Sequence, residues 1–122
     1  MVYADTDFFI ALLKGDDWLG ENARTVLEEH KEDLRTSLPT FIEIMFLSED
    51  YDWDLYRAFS YITEIAEVDV EDKVLLQAAD YKEEKQLNTV DAFQAALAEG
   101  KIVSSDKEFD KVNLERVKLE EK

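Results

Sequence analysis

The chain has no cysteine, one histidine, one proline and three glycines among its 122 residues. The lack of cysteine removes disulfides, thiolate metal ligands and thiol nucleophiles, and a single histidine argues against a zinc centre or a triad built on several imidazoles. Basic residues are also scarce: 14 Lys and Arg stand against 30 Asp and Glu, a formal net charge of −16. Such a surface repels nucleic acid at ordinary ionic strength, because backbone phosphates are bound mainly by Lys and Arg. Divalent cations held by carboxylates relieve that repulsion, and so does high salt, where the Debye length falls to about 3 Å at 1 M. The acids are spread along the chain and form no single acidic tail, which suits a solvated surface of the kind used in high salt. No apolar run approaches the ~18 residues of a membrane span, and the first residues lack the order of a secretory signal, so the expected compartment is the cytoplasm.

What is present is a core. Apolar residues make up 46% of the chain, with seven Phe, five Tyr and two Trp, and the length suits a single domain over residues 1–122. Val2-Tyr3-Ala4 reads as a short strand running into Asp5-Thr6-Asp7, followed by an apolar helix through Phe8, Phe9, Ile10, Leu12 and Leu13 that ends at Gly15. Asp16 and Asp17 open a second helix to about Asp33, with Leu19, Ala23, Val26, Leu27 and Leu34 at helical spacing. His30 shares that stripe and is assigned no role. Arg35 to Leu38 is a second strand candidate, and Pro39 starts the helix TFIEIMFLSED. Glu43 is its only charge before Ser48, and a carboxylate on a helix apolar nearly all round needs a partner or a cation. The alternative is a thin solvent strip of Thr40, Glu43 and Leu47.

Asp50 to Glu67 reads as a helix capped by Asp52 or Asp54, with Leu55, Phe59, Ile62 and Ala66 inward. Tyr51, Trp53, Tyr56 and Tyr61 add aromatic area beyond that stripe. Val68-Asp69-Val70 is a third strand candidate, and Glu71 to Gln86 a helix packed through Val74, Leu75, Ala78 and Tyr81. In Asn88 to Asp110 the spacing of Val90, Phe93, Ala96 and Leu97 predicts a helix capped by Asn88 and stopped by Gly100; Ile102-Val103 is a strand leading to an acidic turn at Asp106. Val112 to Leu119 holds a last short strand before a solvated tail, Glu120-Glu121-Lys122.

Strands alternating with helices predict a parallel sheet covered by helices, with ligands at the carboxyl ends of the strands. Asp5 and Asp106 follow strand candidates there, and Asp91 and Glu43 can close the ring. Oxygen ligands without His or Cys favour Mg²⁺ or Mn²⁺, which activate water and stabilise charge at a phosphodiester. Each acid also has a plainer reading. Asp5, Thr6, Ser105 or Asp106 can simply cap a helix, and Asp91 on a first turn is favoured by the helix dipole by about 0.3–1 kcal/mol.

Four segments together resemble the PIN domain, and most of all the small VapC-type toxin ribonucleases. VYADTDFFIALL is similar to the family's opening strand and helix, TSLPTFIEI to its Ser-x5-Glu segment, NTVDAFQAALAEG to its Asp plus small-residue helix, and KIVSSDKEFDKV to its strand followed by Thr/Ser-x-Asp-x-x-Phe. The resemblance implies an α/β three-layer sandwich with a short-stranded parallel sheet of order near 3-2-1-4-5. It also implies a Mg²⁺- or Mn²⁺-dependent endoribonuclease, often dimeric, whose small antitoxin lays a helix or strand across a groove and reaches the acidic site with a basic side chain. By it Asp5, Asp91 and Asp106 are expected to hold metal, Glu43 to orient or deprotonate water, and Thr6 or Ser104 to position a carboxylate. Asp110 is a supporting acid, and Lys14, Arg35, Lys107 and Lys111 are candidates for phosphate contact.

Overall fold

The structure, a computed structural model, describes residues 1–15 and 18–121. The expected helix start at Asp16 and Asp17, and Lys122 of the expected tail, lie outside the described residues. The elements run β1 (Val2–Tyr3), α1 (Thr6–Lys14), α2 (Trp18–His30), β2 (Leu34–Thr36), α3 (Leu38–Leu47), α4 (Leu55–Ile65), β3 (Glu67–Val68), α5 (Asp72–Glu83), α6 (Thr89–Leu97), β4 (Lys101–Ser104) and β5 (Glu115–Lys118). A 3-10 turn, Lys107–Lys111, separates β4 from β5, and another, Leu119–Glu121, follows β5. This is the expected mixed α/β architecture, with the strands in two small parallel sheets where one central sheet was expected.

Every ladder is parallel. Val2 faces Leu34 across β1 and β2, Arg35 faces Glu67 across β2 and β3, and β4 pairs with β5 from Lys101–Glu115 to Ser104–Lys118. The 3-2-1 and 4-5 parts of the expected order are therefore present as two sheets, and no ladder joins β1 to β4 among the described residues. The strands are short because the chain leaves them early. Val68 ends β3 where Val68-Asp69-Val70 was expected, since the Asp69 carboxylate turns to accept a hydrogen bond from the Leu38 amide at the start of α3 (3.2 Å).

Cap chemistry sets the helix limits. Gly15 closes α1 in the left-handed region (φ +68°), and Gly20 of α2 lies so near it that an added Cβ would sit 3.1 Å from the Gly15 backbone. Helix α4 starts at Leu55 and not at Asp50, because Asp54 caps it through the Arg57 amide (3.1 Å) while Glu83 accepts from the Leu55 amide (3.0 Å). Its inward face is the expected Leu55, Phe59, Ile62 and Ala66, all buried. Phe59 is the hub of the core, edge-on to Phe41 (centroids 5.0 Å apart) and tilted against Phe93 (6.3 Å).

Two expected faces are corrected. Leu34 belongs to β2 and not to the α2 stripe, and Leu19 and Val26 of that stripe are exposed. On α6, Val90 and Leu97 point outward, while Thr89, Asp91, Ala92, Phe93 and Ala95 are buried. Small side chains let α6 lie close on α5, and a stripe weighted by side-chain size misses that face. At the end of the chain, Glu120 and Glu121 are exposed, as expected of a solvated tail, and the Glu120 carboxylate also receives the Arg116 guanidinium at 2.9 Å.

Candidate active site

The turn after β1 is fixed from beneath by hydroxyls. Thr36 on β2 donates to the Ala4 carbonyl (3.0 Å) and shares a hydrogen bond with Thr40 on α3 (2.8 Å), both buried. These bonds hold Asp5 at the mouth of a cleft of about 470 Å³, lined by Tyr3, Asp5, Thr6, Pro39, Thr40, Ile42, Glu43 and Phe46. Asp5 occupies the N-cap position of α1 but makes no side-chain cap bond, so its carboxylate is left for other work. Glu43 is exposed on the facing helix. The expectation of a buried carboxylate on α3 is thus corrected. Thr40 is buried, and the helix opens instead along Glu43 and Phe46 (49% exposed).

The second pair of acids comes from α6 and the turn after β4. Asn88 caps α6, its side chain accepting from the Asp91 amide (2.8 Å), and this frees the Asp91 carboxylate from that duty. Asp91 is 9% exposed. Burial pushes its carboxyl above the ordinary carboxylate range, the charges of Asp106 and Glu108 push it the same way, and a side-chain hydrogen bond with Asp106 forms only when one of the two carries a proton. Asp106 caps the 3-10 turn, accepting from the Glu108 amide (2.9 Å), while its own amide donates to Ser104 Oγ (2.9 Å). The capping reading of Asp106 is therefore true of Oδ1, while the carboxylate as a whole also faces Asp91.

Asp5 and Glu43 share the cleft, and Asp91 and Asp106 form a neighbouring pair. Among the described residues, no group of three or more His, Asp or Glu side chains is arranged to hold a metal ion. Thr6 is buried in the cleft lining, and Ser104 anchors the Asp106 amide. Asp110 is held by the Arg116 guanidinium (3.0 Å), which pulls its carboxyl below the ordinary range. Glu108 is the acid that sequence reasoning passed over. Its signal is the spacing Asp106-x-Glu108 on a tight turn, where side chains two apart can both reach the neighbouring helix. Of the cations proposed for phosphate, Lys111 pairs with Glu108 (2.5 Å), Lys14 sits over the Tyr51 ring (4.8 Å) and Arg35 over the Tyr3 ring (5.5 Å). His30 is half-buried and lies 3.4 Å from Asp33.

Acids follow β1 and β4 in this parallel α/β fold, Asp5 after the first and Asp106 after the second. The PIN domain profile matches residues 2–114, and the chain belongs to the PIN domain family. PIN domains are in general nucleases, hydrolases acting on RNA or DNA, and typically use divalent metal ions. No curated protein and no solved structure gives a significant match. No helix of the described residues is long and apolar enough to cross a membrane.

Proposed function

We propose that the protein is a Mg²⁺- or Mn²⁺-dependent endoribonuclease, acting as the toxin of a VapBC-type toxin–antitoxin pair. The observation that carries this reading is Asp91, a carboxylate buried at 9% exposure and set against two like charges. Folding gains nothing from that arrangement, whereas a hard cation turns the repulsion between carboxylates into attraction. Mg²⁺ is commonly held by one or two carboxylates with waters completing its shell, which a pair such as Asp91 and Asp106 fits. Asp5 would join them, directly or through water.

When bound, the ion supplies charge stabilisation at the scissile phosphate and lowers the pKa of water. Asp91 and Asp106 fix its place, and Ser104 fixes Asp106 through the backbone amide. Glu43 orients a water in the cleft and accepts its proton as the water oxygen bonds to phosphorus. The bond from phosphorus to the leaving ribose oxygen breaks, and that oxygen takes up a proton from solvent. Thr6 steadies the Asp5 turn. The acidic cleft suits a small antitoxin bearing a basic side chain, and a cytoplasmic homodimer of one-domain subunits is the expected assembly.

A second reading is a PIN-like binding module without catalysis, favoured by the lack of a three-acid group among the described residues. A nuclease that processes RNA outside any toxin system would share the same site. Incubating the protein with structured RNA, with and without Mn²⁺, at low and high salt and beside Asp5→Asn/Asp91→Asn, separates catalysis from binding. Cleavage by the wild type alone, and only with metal, supports the nuclease; a folded protein that cleaves under no condition favours the binding module. Growth arrest on expression, relieved by the product of an adjacent small reading frame, separates the toxin from the processing enzyme.

A further inference from the structure

Arg116 sits in the middle of β5 with only 3% of its side chain exposed, in a chain where most Lys and Arg are at the surface. Its guanidinium reaches three parts of the chain. Nη1 donates to the Ser104 carbonyl (2.8 Å) and to Glu120 Oε1 (2.9 Å), while Nε donates to Asp110 Oδ1 (3.0 Å) and Nη2 to Asp110 Oδ2 (3.3 Å). Ser104 and Asp110 are the two ends of the turn that carries Asp106. One planar cation thus bridges the start and the finish of a single acidic loop. Inside that loop, Ser104 Oγ holds the Asp106 amide and Asp106 holds the Glu108 amide.

We propose that Arg116 is a positioning residue for the acid pair, a clamp that closes the Ser104–Asp110 turn and presents Asp106 to Asp91. The inference rests on the nuclease reading for its consequence, though not for its geometry. The clamp has an electrostatic side as well. It engages Asp110, one turn past Asp106, so that this carboxylate is neutralised locally and does not add to the repulsion around Asp91. The planar fork is what the geometry needs, because it meets one carboxylate with two parallel bonds and a carbonyl with a third. A lysine ammonium has the charge without the fork.

The test uses the full chain as Arg116→Met and Arg116→Lys, with Arg57→Gln, an exposed ion pair on α4, as the control. Two readouts are taken. Amide hydrogen exchange is followed at Asp106, Glu108 and Ala92 without metal, and Mn²⁺ binding is titrated calorimetrically together with kcat and KM on RNA. The clamp predicts faster exchange at Asp106 and Glu108 in Arg116→Met with Ala92 unchanged. Removing a group that orients ligands typically weakens metal binding or activity about 10–100-fold, and here kcat falls with KM little altered. Arg116→Lys recovers only part of both. Unchanged exchange at Asp106 and Glu108 in a folded Arg116→Met protein overturns the clamp, as does full recovery of protection by lysine. If the wild type neither binds Mn²⁺ nor cleaves RNA, the nuclease reading fails, and the exchange data alone decide the clamp. Should Arg116→Met not fold, Asp110→Ala with Glu120→Ala removes the carboxylate bonds from the exposed side, leaves only the bond to the Ser104 carbonyl, and is judged by the same exchange.

Discussion

Asp91→Asn is expected to make the protein more stable and catalytically inert. In the unfolded chain Asp91 titrates in the ordinary carboxylate range; in the fold, burial and the charges of Asp106 and Glu108 raise its pKa. Between those two values the folded state binds more protons than the unfolded state, so this group's contribution to stability falls as pH rises through that window. Above the folded value the whole penalty is present. Asparagine nearly preserves the shape, removes the charge and offers an amide that can donate to the Asp106 carboxylate. A hydrogen bond to a charged group and relief of repulsion, less the burial of the amide, favour the variant by roughly 1–2 kcal/mol at pH 7. For a chain of this length that is about 4–8 °C in Tm. Metal-free thermal melts of both proteins from pH 3 to 8 test it: the curves should coincide at the acid end and separate as pH rises. Mn²⁺ at 100 times Kd should then reverse the order, stabilising a metal-binding wild type by about 2.7 kcal/mol. A variant that melts below the wild type at neutral pH would refute the reasoning, since Asp91 would then be ionised to the benefit of the fold.

Asn88→Ala removes the cap of α6 and should lower stability by about 0.5–2 kcal/mol in chemical denaturation, with a loss of activity because the Asp91 amide is its partner. Thr89 Oγ1 is buried with no hydrogen-bond partner in the protein, so Thr89→Val should hold or raise stability by up to about 1 kcal/mol; a lower denaturation midpoint would mean that the hydroxyl does have a partner in solution. With a net charge of −16, the protein should melt higher in about 1 M KCl than in dilute buffer, a comparison that calorimetry makes directly.

Much of this was legible because it depends on neighbours in sequence. The cap at Asp54, the left-handed Gly15 and the inward row of Leu55, Phe59, Ile62 and Ala66 all follow from local rules and all occur. The roles that need a partner far along the chain were harder to read. Asp91 is buried because α6 packs by its small residues, and spacing of the larger Val90 and Leu97 pointed to the other side. Glu43 was read as a buried charge because its neighbours are apolar, yet α3 is covered on one side only and Phe46 shares the opening. Arg116 lies in a strand whose alternation is imperfect, and only the meeting of β4, the 3-10 turn and the chain end gives it three acceptors. Strand ends and helix positions offered the four acids as candidates, and the family resemblance pointed to the same four; no single segment would have done so.

The break between the two sheets has a consequence for timing. Asp106 stands at the end of a ladder that shares no strand hydrogen bond with the one preceding Asp5 among the described residues. The two can therefore open as separate cooperative units, each with its own free energy. Under the proposed function, carboxylates from both grip one ion, and an ion seated between them would act as a rivet across the seam and slow the opening of either side. The residence time of the ion and the breathing of β4 and β5 would then be one and the same clock.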